Sequence, residues 1–167
     1  MIGNDVIDLQ QSRQESNWQR RGFIEKLFST NEQLLIAEDS NPETMVWLLW
    51  SMKEAAYKVY NRQTKIRKYI PKQLICSIVS KENNQITGLV NCNENLYYTK
   101  TILSKEAIHT VAVRDLNDLD CVIEIEKKGI IKDANGVPNL SNAASDAFQD
   151  VSISHHGRFE KVVTLNK

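Results

Sequence analysis

The sequence predicts an α+β fold in which an antiparallel sheet packs on one long central helix. Two observations support this prediction. A mostly apolar helical segment occupies the second quarter of the chain, and a stretch rich in Ile, Val, Thr and Tyr follows it, divided by turn clusters. The 167 residues are enough for one domain with a real core and few for two. We therefore expect a single domain over residues 1–167.

Composition argues against several classes of protein. The 21 basic and 21 acidic residues cancel, so the chain lacks the net positive charge typical of nucleic-acid binders. Cys76, Cys92 and Cys121 are odd in number and form no CxxC pair, which disfavours a disulfide framework and a zinc site. No apolar run approaches the about 20 residues of a membrane span, and the N-terminus has no signal-peptide pattern. We expect a cytoplasmic protein with neither a membrane nor a nucleic-acid partner.

The first segment, residues 2–9, predicts a short strand that contains Asp5 and Asp8. Aspartate is uncommon in strands, so two of them within four residues need an explanation. Either they are solvated charges at a strand end, or the strand holds a carboxylate rigidly as a metal ligand.

Two helical segments follow before the central one. Residues 10–27 are polar and basic and predict a helix that ends near Phe28. Ser29-Thr30-Asn31-Glu32 then combines hydroxyl caps with an acid three residues later, which is a helix-start signature.

The central helix is predicted from Pro42 to about Asn61. Asn41-Pro42-Glu43 supplies a cap residue, a first-turn proline and a first-turn acid. The segment is apolar almost all the way round, which is typical of a helix packed on several sides, yet it contains Lys53, Glu54 and Lys58. Glu54 and Lys58 are either an ordinary surface pair, stabilising the helix by roughly 0.2–0.5 kcal/mol, or part of a site for Mg²⁺ and phosphate.

A basic run and a β-rich region come next. Residues 62–72 hold five basic residues and no acid, which indicates a solvated face or a binding site for a polyanion, either a phosphorylated cofactor or an acidic protein. Five strands of an antiparallel meander are then predicted, at residues 73–80, 85–91, 96–102, 107–113 and 121–126. One of them contains His109, which we interpret as a half-buried histidine with its hydrogen bonds satisfied rather than as a ligand.

The C-terminal part predicts a turn, a helix and a hairpin. The turn is residues 133–140, the short helix runs from Ser141 to Phe148, and two strands, residues 151–159 and 161–165, flank a glycine-containing turn. Hydroxyl, imidazole and guanidinium groups crowd the end of the first of these strands.

Three separated patterns together resemble the signature of the 4′-phosphopantetheinyl transferases. Gly3-Asn4-Asp5 matches G-x-D, and residues 50–58 match (F/W)-(S/C/A)-x-K-E-(A/S)-x-x-K. Ser152-Ile153-Ser154-His155 matches the S-x-S-H strand, and Gly136-Val137-Pro138-Asn139-Leu140 resembles G-K-P-x-L. The motif order and the chain length resemble those of the small holo-acyl-carrier-protein synthase type. Residues 73–127 are not accounted for by these motifs.

The resemblance implies an activity. It implies a 4′-phosphopantetheinyl transferase-like α+β fold and transfer of the phosphopantetheine arm of coenzyme A to a serine of an apo acyl or peptidyl carrier protein, as in fatty acid biosynthesis. Adenosine 3′,5′-bisphosphate would be released. The metal would be Mg²⁺, with Mn²⁺ as a substitute.

The resemblance also implies roles for individual residues. Asp5 and Glu54 would be metal ligands and, with Lys58, catalytic; the third ligand would be water or Asp8. The base would be Glu54, through a water on the metal, or Asp8. The residues that would bind coenzyme A are Lys53, Lys58, Ser154, His155 and Arg158.

Partners follow from the same resemblance. An acidic carrier protein would bind either Arg13, Arg20 and Arg21 or the basic run at residues 62–72. The small type assembles as a trimer with shared sites, so we expect a homotrimer, unless the extra β segment covers that interface.

Two rival functions remain open. A non-catalytic module binding coenzyme A or a carrier protein would predict loss of the Asp5 or Glu54 carboxylate, and both are present. A hydrolase using Ser154 with His155 or His156 is disfavoured, because the adjacent residues Ser154 and His155 would point to opposite faces of a strand and no G-x-S-x-G motif occurs.

Overall fold

The computed structural model describes residues 1–141 and 148–166, and it confirms the α+β class. Two short 3-10 helices, Pro71–Gln73 and Leu116–Cys121, accompany the main elements. The helices are α1 Leu9–Glu15, α2 Phe23–Leu27, α3 Thr30–Glu38 and α4 Pro42–Thr64. The strands are β1 Ile2–Asp8, β2 Ile75–Glu82, β3 Gln85–Cys92, β4 Asn95–Leu103, β5 Ala107–Val113, β6 Val122–Glu124, β7 Ile130–Lys132, β8 Pro138–Ser141, β9 Phe148–His156 and β10 Phe159–Leu165.

Helices α3 and α4 begin where the sequence predicts. Ser29 and Glu32 form a complete capping box at the start of α3. The side chain of Asn41 accepts a hydrogen bond from the backbone N–H of Thr44 at the start of α4. Helix α4 extends to Thr64, three residues beyond the predicted end. Its 23 residues make it the long helix around which the core forms.

The segment between β1 and α3 differs from the prediction. One helix was expected over residues 10–27, but the chain forms α1 and α2 with a turn between them. Gly22, at φ +81°, lies in the left-handed region directly before α2. A glycine adopts this conformation without the steric cost that a side chain would impose, so it allows the chain to change direction here.

The first sheet carries α4 on one face. Its strand order is β1-β5-β4-β3-β2, with every neighbouring pair antiparallel. Helix α4 packs on β1, β4 and β5. Strand β1 approaches the helix so closely that a Cβ built on Gly3 would lie 2.1 Å from the carbonyl oxygen of Ala55. Only glycine fits there, because any side chain would collide with the helix backbone.

A second five-stranded sheet, which the sequence did not predict, covers the other face of β1 and β5. Its order is β6-β10-β9-β8-β7. The predicted fifth strand of the meander, residues 121–126, is therefore wrong as a neighbour of β5: β6 pairs with β10. A second apolar cluster fills the space between the sheets, formed by Ile2, Val111, Val113, Leu119, Val163 and Leu165.

Side chains from the second sheet and from α4 protect the open edge of β1. The backbone N–H of Asn4 donates to Ser152 Oγ at 2.9 Å, and its carbonyl oxygen accepts from Lys58 Nζ at 2.6 Å. Unpaired strand edges invite association with other strands, and these contacts satisfy the edge internally. His109 is half-buried near Asn4, as expected.

The remaining predictions have mixed outcomes. Residues 133–137 form the predicted turn, but Pro138–Ser141 is strand β8, which pairs with β7. The helix predicted from Ser141 to Phe148 lies at residues 142–147 outside the described residues. The cysteines are free, as expected. Among the helices that the structure describes, none is both long and apolar enough to cross a membrane.

Candidate active site

The structure brings three charged side chains together where β1 crosses α4. Along β1, Gly3, Asp5 and Ile7 face α4, because alternate residues of a strand share a face. Glu54 and Lys58, one helical turn apart, complete the group. Both carboxylates interact electrostatically with the Lys58 ammonium and Asp5 also with Glu54. Two negative charges therefore share one positive charge in a partly buried place.

The pKa values of both acids are raised, and burial is the largest cause for each. Burial, and secondarily the Glu54 charge, raises the pKa of Asp5 to about 7, although Lys58 and the Ser51 hydroxyl act in the opposite direction. Burial also raises the pKa of Glu54, against the effect of Lys58. The same burial lowers the pKa of Lys58, which the two carboxylates partly offset. An added cation would relieve the excess of negative charge.

Lys58 is held in place by backbone oxygens of two strands. Its ammonium donates to Asn4 O in β1 at 2.6 Å and to Ile153 O in β9 at 3.2 Å. An ammonium has three N–H donors, so two carbonyl partners leave one for an anion. The cationic group is thus fixed between the two sheets, beside the carboxylates.

The donor set of this site fits a hard divalent cation. Mg²⁺ prefers oxygen ligands and is usually held by one or two carboxylates, with water and substrate phosphates completing its coordination. Asp5 and Glu54 supply the carboxylates, with the Ser51 hydroxyl close to Asp5. Within residues 1–141 and 148–166, no group of three or more His, Cys, Asp or Glu side chains could hold a metal. A cation here would depend on water and phosphate oxygens.

Asp8 lies on the opposite face of β1 from Asp5. Its carboxylate accepts hydrogen bonds from the backbone N–H groups of Gln10 and Gln11 and so caps α1. It also accepts from the backbone and guanidinium of Arg158, at 2.8 to 3.0 Å. These bonds hold the pKa of Asp8 far below its usual range, with the Arg158 side chain as the largest cause. The structure thus does not place Asp8 with Asp5 and Glu54.

The predicted coenzyme-binding residues of the β9–β10 hairpin also lie apart from the charged group. Arg158 pairs with Asp8 and with Glu106. Ser154 is buried, and its hydroxyl accepts a hydrogen bond from the Asn4 side chain at 3.0 Å. His155 is exposed in β9. The hairpin contacts β1 from the face opposite the carboxylates.

Lys53 is fully buried, although it is one of the residues that line the cavity beside Glu54. Its ammonium pairs with the Glu32 carboxylate at 2.8 Å and donates to the carbonyl oxygens of Pro71 and Leu74. Both charged side chains are at most 1% exposed. Glu32 in turn accepts from the backbone N–H of Cys76 at 2.7 Å. Lys53 thus joins α4 to α3 and to the segment that leads into β2.

Three cavities follow one face of α4. Trp47, Trp50, Glu54, Tyr57 and Asn61 recur at helical spacing along this face. The cavity at the Trp47 end measures about 430 Å³, the middle one beside Glu54 about 420 Å³, and the one beside Asn61 about 180 Å³. Neighbouring cavities share lining residues, and we call this row of three cavities the trough; Glu54 lines its middle cavity.

The two ends of the trough are basic. Lys58, Arg62 and Arg67 line the small cavity together with Gly136 and Pro138 of the predicted G-K-P-x-L-like turn. Arg62 is itself engaged, since its guanidinium donates to Asp150 Oδ1 at 2.7 Å and to three further oxygens.

The opposite end of the trough contains part of the predicted carrier-binding set. Arg20, Arg21 and Lys26 line the cavity around Trp47 and Trp50. The Arg20 guanidinium also lies over the Phe23 ring, 5.5 Å from its centre. Arg13 lies on α1 and pairs with Glu43, at 3.1 Å, rather than lining this cavity.

Sequence reasoning missed several residues of this surface. Ser51 lies one turn before Glu54 on α4, and this helical spacing was the sequence feature that could have identified it. Tyr57 and Tyr69 line the middle cavity; aromatic residues between charged positions were the only hint. The basic run at residues 62–72 was recognised, but nothing in the sequence indicated that Arg67 and Tyr69 face the same helix as Glu54.

The site thus combines a carboxylate and a lysine on α4, a carboxylate on β1 and neighbouring cavities with basic walls. Comparison with known families is consistent with this: the model of the 4′-phosphopantetheinyl transferase superfamily matches residues 1–113. The chain belongs to this superfamily, which is a class of transferases that use coenzyme A and a divalent metal. No curated protein matches the chain closely enough to count as a relative.

Proposed function

We propose that the protein transfers the 4′-phosphopantetheine group from coenzyme A to a serine of an apo acyl or peptidyl carrier protein, in a Mg²⁺-dependent reaction that releases adenosine 3′,5′-bisphosphate. The observation that carries the proposal is the meeting of Asp5, Glu54 and Lys58 at the crossing of β1 and α4. These three positions belong to the G-x-D and K-E-A-x-x-K motifs of the superfamily.

The roles of these residues follow from the chemistry. The reaction is attack by an alcohol on a pyrophosphate phosphorus, so charge must be neutralised and the reactants aligned. Asp5 and Glu54 would hold Mg²⁺, which supplies charge neutralisation at the pyrophosphate. Lys58 would donate its remaining N–H to a phosphate oxygen, from a position fixed by Asn4 O and Ile153 O.

Glu54 is the better candidate for the general base. Its carboxylate lies with Asp5 and Lys58 at the proposed reaction centre, where it would act through a water on the metal. Asp8, the second candidate, is ion-paired with Arg158 on the other face of β1, and its lowered pKa makes it a weak base. We therefore leave Asp8 out of both the metal site and the proton transfer.

Binding of the two substrates is proposed at the two ends of the trough. The small cavity with Lys58, Arg67 and Gly136 suits the phosphates of coenzyme A. The cavity with Arg20 and Arg21 suits an acidic carrier protein. A homotrimer of the holo-acyl-carrier-protein synthase type remains part of this proposal, and light scattering of the purified protein tests it.

The test compares Glu54→Gln with Glu43→Gln in the same helix. The purified proteins are incubated with coenzyme A, Mg²⁺ and a bacterial apo acyl carrier protein or a peptidyl carrier protein, and the carrier mass is measured. We expect the wild type and Glu43→Gln to add phosphopantetheine, with loss of the reaction in EDTA. Glu54→Gln should lower the rate by about 10²-fold or more, because a carboxylate ligand is lost.

Two results would contradict the proposal. Transfer by Glu54→Gln with unchanged Mg²⁺ dependence would remove Glu54 from the metal site. A wild type that binds coenzyme A but modifies none of the carriers would favour a non-catalytic binding module instead.

A further inference from the structure

Tyr69 occupies a position on the trough that the superfamily motifs do not include. It lies in the segment after α4, between Lys65 and the short 3-10 helix Pro71–Gln73. Its side chain belongs to the walls of two cavities, the one beside Glu54 and the one that contains Arg20, Arg21 and Trp50. It is therefore the lining residue that these two cavities share.

The ring is held out in solvent instead of packing into the core. Tyr69 is 68% exposed, the highest value among the large apolar side chains described in residues 1–141 and 148–166. Exposing a large aromatic ring costs free energy unless it is covered in the functional state. The ring is also near the catalytic group: partial burial, and then the Glu54 charge, raises the pKa of Tyr69.

The chemistry of the second cavity indicates what covers the ring. Its floor is aromatic, with Trp47 and Trp50, and its rim is basic, with Arg20, Arg21 and Lys26. An acidic protein segment complements this rim, and an aromatic ring beside it provides an apolar anchor of the kind found at the centre of protein interfaces.

We propose that Tyr69 is a specificity-determining residue for the carrier protein: its ring packs against the acceptor segment and aims the acceptor serine at the group formed by Asp5, Glu54 and Lys58. This inference rests on the proposed transferase function. The basic cavity proposed for the coenzyme is lined by Tyr57, Lys58 and Arg67, and Tyr69 is not among its described lining residues, so we expect the ring to act on the carrier.

The experiment measures kcat and KM for each substrate in wild type, Tyr69→Ala and Tyr69→Phe. The probes are coenzyme A and whichever of the apo acyl and peptidyl carrier proteins the wild type modifies. Val79→Ala, an equally exposed apolar position on β2 at 64%, is the control for loss of surface area alone. Since Tyr69 is exposed, its replacement should leave the thermal unfolding midpoint unchanged.

We expect Tyr69→Ala to raise KM for the carrier by about tenfold, which is the scale of a lost aromatic anchor. KM for coenzyme A should stay within about twofold of wild type. Tyr69→Phe should restore most of the carrier affinity, because the ring and not the hydroxyl makes the contact, and Val79→Ala should match wild type.

Three results would overturn the inference while leaving the transferase intact. They are a carrier KM unchanged in Tyr69→Ala, an equal rise in both KM values, and a Tyr69→Phe variant as impaired as Tyr69→Ala. A wild type inactive on every carrier would instead overturn the proposed function, and this inference with it.

Discussion

Asp5 meets two opposing physical demands. The close approach of β1 to α4 places its carboxylate beside Glu54 in a partly buried position, which disfavours charge. The proposed chemistry requires the same carboxylate to be charged when a cation binds. Such a conflict is expected at a functional site: the folded structure favours the neutral carboxyl, whereas cation binding requires the carboxylate.

Replacing Asp5 should therefore stabilise the metal-free protein at alkaline pH. The pKa of Asp5 in the folded state, about 7, lies above the ordinary value of an aspartate, so the folded state holds this proton more tightly than the unfolded state. The contribution of this proton to the unfolding free energy is fully present below pH 4 and is lost as the pH rises through 7. At pH 8 in EDTA, Asp5→Asn should exceed wild type by about 1–2 kcal/mol in unfolding free energy, and at pH 4 the two should be equal.

The measurement is denaturant unfolding of both proteins across this pH range. His109 titrates in the opposite sense, because burial and then the Lys161 charge lower its pKa to about 4. Comparison of the two proteins at each pH cancels that contribution. Addition of Mg²⁺ at pH 8 should stabilise only the wild type. If Asp5→Asn is no more stable than the wild type at pH 8 in EDTA, the argument that burial disfavours the charged form of Asp5 is wrong.

At the scale of elements, the adjacent residues Lys53 and Glu54 of α4 have different roles. Glu54 faces the trough, whereas Lys53 turns inward and fastens α4 to α3 and to the segment before β2. Because residues next to each other on a helix point about 100° apart, one motif supplies both a site residue and a structural one. The orientation of the trough wall that contains Pro71 and Leu74 depends on Lys53.

Lys53→Met should destabilise the protein by about 3–5 kcal/mol, because Glu32 would remain as an unpaired buried charge. The control is Lys81→Met, which breaks an exposed pair with Asp39 and should cost less than about 1 kcal/mol. Joint replacement of Lys53 and Glu32 by apolar residues should recover much of the loss. If Lys53→Met folds as well as wild type but binds coenzyme A more weakly, Lys53 is a ligand and the structural role is wrong.

Elements were predictable from sequence where their signals are local. The Ser29–Glu32 capping box and the Asn41-Pro42 start identify α3 and α4 because both operate within one helical turn. The split between α1 and α2 was missed because a single residue, Gly22, determines it. The partner of Lys53 could not be predicted from the helix alone, since Glu32 is 21 residues away.

Prediction of the site was likewise limited, because its contacts join residues that are far apart in the sequence. Asp5 and Glu54 were brought together by the family motifs and not by local patterns. Asp8 was considered with them because of its type, but strand alternation places it on the other face, where Arg158, 150 residues away, binds it. The second sheet went unrecognised because strand neighbours are decided by long-range packing.

For the whole molecule, Arg62 connects the helix layer to the second sheet. Its guanidinium, 9% exposed, leaves the last turns of α4 and donates to Asn139 and Asp150 side chains and to the carbonyl oxygens of Pro138 and Val151. Each acceptor belongs to β8 or β9. The small basic cavity of the trough lies between these layers.

Arg62→Ala should lower the unfolding free energy by about 2–4 kcal/mol, because several partly buried acceptors lose their donor. Arg13→Ala, which breaks an exposed pair with Glu43, should cost less than about 1 kcal/mol. Chemical denaturation of the two variants provides the comparison. If Arg62→Ala and Arg13→Ala lose the same unfolding free energy, the bonds of Arg62 to the second sheet do not stabilise the protein more than an exposed ion pair.

The bonds between Asp8 and the β9–β10 turn have a consequence for the timing of synthesis. Strand β1 leaves the ribosome first, yet its edge is closed by Ser152, His156 and Arg158, which emerge about 150 residues later. At roughly 5–20 residues per second, β1 waits for several seconds without these partners. During that interval this edge of β1 has backbone groups without their final partners, so chaperone protection of the edge should matter most at that stage.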